Sequence, residues 1–286
     1  MFERELAATA AAMVAPGKGI LAIDESGGTI KKRFDSIGVE SKVETRRAYR
    51  DLLITADGLS QFISGMILYD ETIRQAAQDS TPFVEVLKKN GILAGIKVDA
   101  GAKNLAGAPG ETVTEGLDGL RERLAEYKKL GASFAKWRAV ITIGKDIPSA
   151  YCIEANAHAL ARYAALCQEA GVVPIVEPEV LMDGDHTLER SLEVTENTLH
   201  AVFHALCQQR VRVEHTILKA SMVIAAKGCP QQASVQQVAE ATLRCLKRTV
   251  PAALPGIVFL SGGQSDELAT AHLNAMNATG AALPWP

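Results

Sequence analysis

A chain of 286 residues with 48% hydrophobic and 22% charged side chains can bury a sizeable core, and no Pro/Gly/Ser-rich linker or composition break divides it, so one domain spanning 1–286 is expected. The net charge of −3 and aromatic content of 5% leave no basic, aromatic-studded stripe to track a phosphate backbone, which argues against a nucleic-acid partner. Five cysteines without Cys-x-x-Cys spacing suit a reducing cytoplasm rather than a disulfide framework; the acidic start and short Ala-rich stretch to Val14 match neither a secretion signal nor the about 20 apolar residues of a membrane span.

Short β-rich runs then alternate with longer stretches of helical period. The run 19–24 (Gly-Ile-Leu-Ala-Ile-Asp) predicts a strand ending on Asp24, followed by Glu25-Ser26-Gly27-Gly28 and the basic cluster Lys31-Lys32-Arg33. A helix is predicted over 43–55, a strand over 62–69, a short helix around 81–90 and a strand over 93–99 that carries Lys97. A helix over 114–130, with Thr114 at its start and Gly131 as a capping residue, leads to a strand over 134–141 holding Lys136 and Arg138. The remaining elements are a helix over 149–170, a strand over 173–178, a helix over 188–210 and a strand over 215–223 with Lys219. A helix over 234–248, opening on Ser234 and stopping before Pro251, and a strand over 256–260 complete the series.

Repeated βα units with polar residues at strand ends predict an α/β fold of the (β/α)8 TIM-barrel type, where catalytic groups gather at the C-terminal ends of the strands. A doubly wound sheet is the alternative. Only seven strands are legible, and the stretch after Gly263 has room for a helix but not for a strand and helix. The eighth strand and C-terminal tail are therefore expected to be absent from this chain, leaving an open edge with unpaired backbone groups.

Lysines belong in water, yet Lys97, Lys136 and Lys219 sit inside apolar strand-like runs, with Asp24, Glu177 and Glu179 in similar settings. Taken singly, each reads as half of an ion pair; together they have the ingredients for amine chemistry on a carbonyl, because a desolvated lysine can become a nucleophile. Val173-Pro-Ile-Val-Glu-Pro-Glu179 puts two carboxylates on one strand face, where crowding or a nearby ammonium separates a proton donor from a proton acceptor. Ser261-Gly262-Gly263-Gln264-Ser265 follows a strand and precedes a helical run, so its N–H groups can face an anion; a flexible turn is the plain alternative. His200 and His204, spaced i, i+4, could present two metal ligands, but no third ligand is evident and a helix pair without metal is the better reading.

In this order the segments Gly17-Lys-Gly-Ile-Leu-Ala-Ile-Asp-Glu-Ser, Gly95-Ile-Lys-Val-Asp, Phe134-Ala-Lys-Trp-Arg, Ile175-Val-Glu-Pro-Glu, Leu218-Lys and Phe259-Leu-Ser-Gly-Gly-Gln-Ser resemble class I, Schiff-base fructose-1,6-bisphosphate aldolase along essentially the whole chain. The resemblance implies that Lys219 forms an imine with the substrate ketone, that Glu177 is the acid/base of carbinolamine dehydration, and that Glu179 supports proton movement beside it. It implies that Asp24 positions and helps deprotonate the C4 hydroxyl and that Lys136 supplies positive charge near the reacting carbon. Lys97, Arg138, Lys32, Arg33 and Ser26 fall to the distal phosphate side, and Ser261 and Gly262 to the phosphate nearest the ketone. No metal or other cofactor is implied; phosphorylated ketoses and trioses are the ligands, and a homotetramer is the implied assembly.

Two departures are visible. Ala220-Ser221-Met222-Val223 stands where the family usually has Pro-Asn-Met-Val, and Ala100 where it commonly has a basic residue. The family's eighth strand, its phosphate-binding Arg and its terminal Tyr would lie beyond Pro286. The expected function is therefore reversible cleavage of fructose 1,6-bisphosphate, and the alternative is a truncated, catalytically impaired aldolase acting as a sugar-phosphate-binding or scaffold protein.

Overall fold

The computed structural model describes residues 2–280 and 282–286. In chain order the elements are α1 (Glu3–Met13), β1 (Gly19–Ala22), α2 (Gly27–Asp35), α3 (Val43–Ile54), β2 (Ile63–Leu68), α4 (Asp70–Ile73), α5 (Phe83–Lys89), β3 (Leu93–Lys97), β4 (Ala102–Asn104) and β5 (Thr112–Thr114). They continue with α6 (Leu120–Lys129), β6 (Phe134–Ile141), α7 (Ala150–Glu169), β7 (Val173–Val180), α8 (Leu188–Gln208), β8 (Ile217–Ala220), α9 (Val235–Thr249), β9 (Ile257–Phe259) and α10 (Asp266–Ala278). Seven strands follow one another in the order β1-β2-β3-β6-β7-β8-β9, and β4 and β5 form a separate hairpin. This is the βα alternation of the TIM-barrel class, with seven sheet strands and no eighth among the described residues. No described helix is long and apolar enough to cross a membrane.

The chain divides into two compact units. The first holds the residues up to Val98 with Gly119–Lys136 and Leu166–Pro174; the second holds Asp99–Asp118, Trp137–Ala165 and everything from Ile175 onward. In the first unit β1, β2, β3 and the start of β6 pair in parallel, through Ala22↔Ile67, Gly65↔Leu93 and Gly95↔Phe134. β2 is buried along almost its whole length, as a strand covered on both faces should be, whereas β1 is half-exposed. Glycines interrupt β2 and β3 for a packing reason: a Cβ on Gly95 would lie 2.1 Å from the Phe134 ring, and one on Gly65 would lie 3.0 Å from it. The buried Phe134 ring occupies the space those two positions leave.

In the second unit β7, β8 and β9 pair in parallel through Val176↔Leu218 and Lys219↔Val258. Pro178 has no N–H for a ladder, and registered pairing between β7 and β8 stops at Val176↔Leu218. Two residues on, the Val180 N–H is satisfied by the Ser221 hydroxyl at 3.1 Å instead. On β6, Trp137 is fully buried and packs on Tyr163 of α7, with ring centroids 5.5 Å apart. The C-terminal segment lies along β9: the Ile257 N–H donates to the Pro286 carbonyl at 3.4 Å, and the buried Trp285 indole N–H donates to the Pro251 carbonyl at 2.9 Å. Part of the edge expected to be bare is thus covered.

Two predicted boundaries are corrected. The helix expected from Thr114 starts at Leu120, behind a left-handed Gly119, and Thr114 belongs to the β4–β5 hairpin, whose tip carries Gly107 and Gly110 with positive φ. Pairing with Ala102 overrode the N-capping preference of Thr114, whose hydroxyl donates to the Arg138 carbonyl at 2.7 Å. The strand expected over 215–223 is confined to Ile217–Ala220, with a single 3-10 turn at Val213–His215 before it. Ser234 caps α9 as expected, in a reciprocal capping box with Gln237.

Gly95→Ala is expected to destabilise the protein by about 1–3 kcal/mol through overpacking against Phe134. Urea unfolding measures the loss, and adding Phe134→Leu should recover part of it.

Candidate active site

The second unit holds Lys219, Glu177, Glu179, Arg138, Ser261 and Gly262, half of the twelve predicted site residues. Lys219 lies on β8 with its side chain 14% exposed, and its Nζ is 2.9 Å from Glu177 Oε1 on β7, a carboxylate only 3% exposed. Strand alternation puts Glu179 on the same face as Glu177, and Glu179 accepts from Arg138 Nε of β6. The crowded carboxylates are therefore divided between two cations. Burial opposes the charge of Arg138, but its hydrogen bond to Glu179 and the charges of Glu179, Glu177 and Asp99 outweigh that cost and hold the guanidinium firmly protonated.

The Arg138 backbone is gripped by the hairpin region. Its N–H donates to Asp99 Oδ2 at 3.3 Å, and its carbonyl accepts the Thr114 hydroxyl. Buried Asn156 on α7 fixes the hairpin in turn, accepting from the Thr114 N–H at 3.3 Å and donating to the Thr112 carbonyl at 2.8 Å. Ser221, standing where the family usually has Asn, supplies the hydroxyl that takes the Val180 N–H just beyond Glu179.

After β9 the chain turns through Ser261, Gly262 and Gly263, the two glycines having φ of +64° and +91°, a backbone that residues with a Cβ rarely adopt. Ser261 is exposed and Gly262 half-buried. A Cβ on Gly263 would lie 2.8 Å from Lys227 Nζ, the end of a flexible side chain that can move aside, so it is the positive φ that favours glycine there. Ser265 caps α10, accepting from the Leu268 N–H at 3.2 Å. The segment thus has the form of an anion-binding turn ahead of a helix, with Lys227 as a neighbouring cation.

The first unit holds a second buried ion pair: Asp24, just past β1, lies 2.8 Å from Lys136 Nζ, with side chains 12% and 5% exposed. Lys97, at the end of β3, is half-buried and registers opposite Lys136. Glu25 is clasped by Arg33 and by the buried Arg50, whose Nη2 is 2.9 Å from Oε2. Burial pulls Arg50 below the ordinary arginine range, with Glu25 opposing the shift. Ser26 is the residue before α2, its hydroxyl 3.2 Å from that of Thr29; Lys32 is exposed, and Lys31 forms an exposed pair with Asp35 at 2.7 Å.

Sequence reading missed Arg50, which sits inside a helical pattern of unremarkable charge, and the support given by Thr114 and Asn156. No local spacing announces these, because each acts on a residue far away in the chain. The His200–His204 pair is exposed on α8 and, with His158 of α7, borders a surface cavity of about 790 Å³ lined by none of the strand-end residues. Among the described residues no group of three or more His, Cys, Asp or Glu side chains is arranged to hold a metal ion.

Residues 5–286 match the family described as fructose-bisphosphate aldolase class-I. A probable fructose-bisphosphate aldolase class 1 of Xanthomonas campestris pv. campestris is 67% identical over 282 residues, covering 99% of this chain and 84% of that one. A fructose-bisphosphate aldolase of Dictyostelium discoideum is 56% identical over 279 residues, covering 96% and 78% of the two chains. The fold is similar to that of fructose-bisphosphate aldolase from Plasmodium falciparum, solved in complex with TRAP and a small-molecule inhibitor, with a TM-score of 0.97 at 50% identity over 99% of this chain and 82% of that one. With a buried lysine–glutamate pair at adjoining strand ends and relatives of this closeness, the chain belongs to the class I fructose-bisphosphate aldolase family.

Proposed function

We propose that the chain cleaves fructose 1,6-bisphosphate reversibly into dihydroxyacetone phosphate and glyceraldehyde 3-phosphate through a Schiff base on Lys219. The observation that carries this reading is the 2.9 Å contact between Lys219 Nζ and Glu177 within a buried strand-end setting. Lys219 passes its ammonium proton to Glu177 and, as the neutral amine, adds to the C2 carbonyl to give a carbinolamine. Glu177, within proton-transfer reach, delivers a proton to the carbinolamine hydroxyl, which leaves as water and produces a protonated imine. Asp24 takes the proton of the C4 hydroxyl as the C3–C4 bond breaks; the electron pair passes into the imine as an enamine, and glyceraldehyde 3-phosphate departs. Return of that proton to C3 and addition of water then release dihydroxyacetone phosphate and restore the lysine. No oxidant, reductant or metal enters this balance.

Lys136, paired with Asp24, brings positive charge close to the reacting carbon, and Glu179 assists proton movement beside Glu177. Arg138, Lys97, Lys32, Arg33 and Ser26 serve the distal phosphate, with Arg33 leaving Glu25 to do so, and Ser261 and Gly262 serve the phosphate next to the ketone. Residues 1–286 act as one catalytic domain, within a homo-oligomer that is a tetramer by resemblance and works in the cytoplasm.

Incubation with dihydroxyacetone phosphate and sodium borohydride should add one reduced adduct, mapped to Lys219 by peptide mass spectrometry. Lys219→Ala should abolish the adduct while circular dichroism stays unchanged; an adduct elsewhere, or none on the parent chain, would sink the catalytic reading in favour of a sugar-phosphate-binding role. Arg138→Ala should raise KM for the bisphosphate by about tenfold or more with a smaller change in kcat, since a charge-assisted phosphate contact contributes roughly 1.5–3 kcal/mol. Loss confined to kcat would refute its binding role. Asp24→Asn should slow cleavage by about 10²-fold or more, as expected for a lost general base. It should also reduce stability by about 3 kcal/mol, because Lys136 then loses the charge of a buried partner; single-turnover kinetics and urea unfolding read the two effects separately.

A further inference from the structure

The Gly-Gly turn after β9 has a mechanical problem. Glycine crosses between backbone regions easily, so the peptide planes of Ser261-Gly262-Gly263 can flip at little cost, and a flipped plane offers an anion a carbonyl instead of an N–H. The structure contains a device that fixes one of these planes. The Ser261 carbonyl accepts two hydrogen bonds from Gln264, one from its backbone N–H at 3.1 Å and one from its side-chain Nε2 at 2.8 Å. In a planar trans peptide the following N–H points opposite to the carbonyl, so holding Ser261 C=O toward Gln264 turns the Gly262 N–H outward.

Gln264 is itself held. With Nε2 donating to Ser261, its Oε1 is the atom presented to His272 Nδ1 at 2.6 Å, and an amide oxygen needs a donor. This fixes His272 as the tautomer with its proton on Nδ1. His272 is buried on α10 at 1% exposure, and its Nε2 has no hydrogen-bond partner among the described residues, which suits a bare lone pair and not a second N–H. Burial lowers the imidazole pKa from its ordinary value, in keeping with a neutral ring. The Gln264 amide also rests 3.7 Å from the sulfur of buried Met222, three residues beyond Lys219, which ties the turn to the segment following β8.

We propose that His272 is a positioning residue for the ketone-side phosphate: through Gln264 it locks the Ser261 carbonyl inward and so presents the Gly262 N–H to the ligand. The inference rests on the aldolase reading for the identity of that ligand, and on geometry alone for the latch.

The test compares His272→Phe, which fills the volume but cannot donate, with His272→Asn, whose Nδ2 stands close to the position of Nδ1. In the condensation direction, His272→Phe should raise KM for dihydroxyacetone phosphate about tenfold and leave KM for glyceraldehyde 3-phosphate within about twofold, and His272→Asn should restore the former. A KM for dihydroxyacetone phosphate unchanged in His272→Phe, equal rises for both trioses, or no rescue by Asn would overturn the proposal. If His272→Phe does not fold, Gln264→Met removes the same link from the half-buried end and is held to the same outcomes. Nitrogen-15 NMR of the imidazole should show the proton on Nδ1; a proton on Nε2 overturns the latch. Should the unsubstituted chain fail to condense the trioses, the aldolase reading falls, and the latch is still decided by titrating inorganic phosphate against the Gly262 amide resonance. A shift in the parent chain that His272→Phe loses supports it, and identical shifts in both overturn it.

Discussion

Charge buried at the end of a strand must be matched by charge or by hydrogen bonds, and that constraint organises the chemistry of this chain. The gain from pairing two ions inside a protein only roughly offsets their desolvation, so such pairs contribute little net stability, while removing one partner is costly. Lys219 with Glu177 and Lys136 with Asp24 are of this kind, and buried Glu179 is matched by the half-exposed Arg138. A fold that needed only stability could fill these positions with apolar residues. Retaining paired charges there keeps an amine, several carboxylates and a guanidinium close to water-poor surroundings, where proton transfer and electrostatic stabilisation are strongest.

The backbone around Lys219 is adjusted to this purpose. Pro178 removes a donor from β7, registered pairing with β8 ends before Lys219, and the Val180 N–H is satisfied by the Ser221 side chain. The Ser221 hydroxyl thus replaces a missing rung without requiring the strands to stay laddered beyond the lysine. On β6 the same logic applies to Arg138: Asp99 and Thr114 hold its N–H and carbonyl, and its side chain is then directed to Glu179. Side chains from outside the sheet act as backbone partners where regular pairing would have obstructed the site.

The turn after β9 also has side-chain support, here from residues close by in the chain. Two glycines make the close approach of an anion sterically possible and at the same time make the turn pliable, and Gln264 with His272 restricts it. Arg50 plays a comparable part for Glu25, clasping a carboxylate that would otherwise repel an anionic ligand near α2. In each case a group beside the proposed ligand is held in place by a buried neighbour.

Much of this was legible in the residue order. Alternation of β-rich and helical runs, lysines embedded in apolar strands, the Glu-x-Glu pair on β7 and the Gly-Gly turn after β9 are local patterns, and local patterns fix the element types and the βα order and single out the candidate site residues. Thr114 shows where such reading stops: its capping preference predicted a helix start, yet hairpin pairing with Ala102 claimed it, because a non-local ladder outweighs a single capping bond. That Lys136 meets Asp24, that Lys219 meets Glu177 and that Arg50 reaches Glu25 depend on contacts between residues far apart in sequence. The sequence by itself determined that lysines and carboxylates would lie in apolar strand-like runs; only the tertiary structure decided how they are paired and which further charges, such as Arg50, are buried, since pairing is set by the register of strands and the packing of helices that no local pattern encodes.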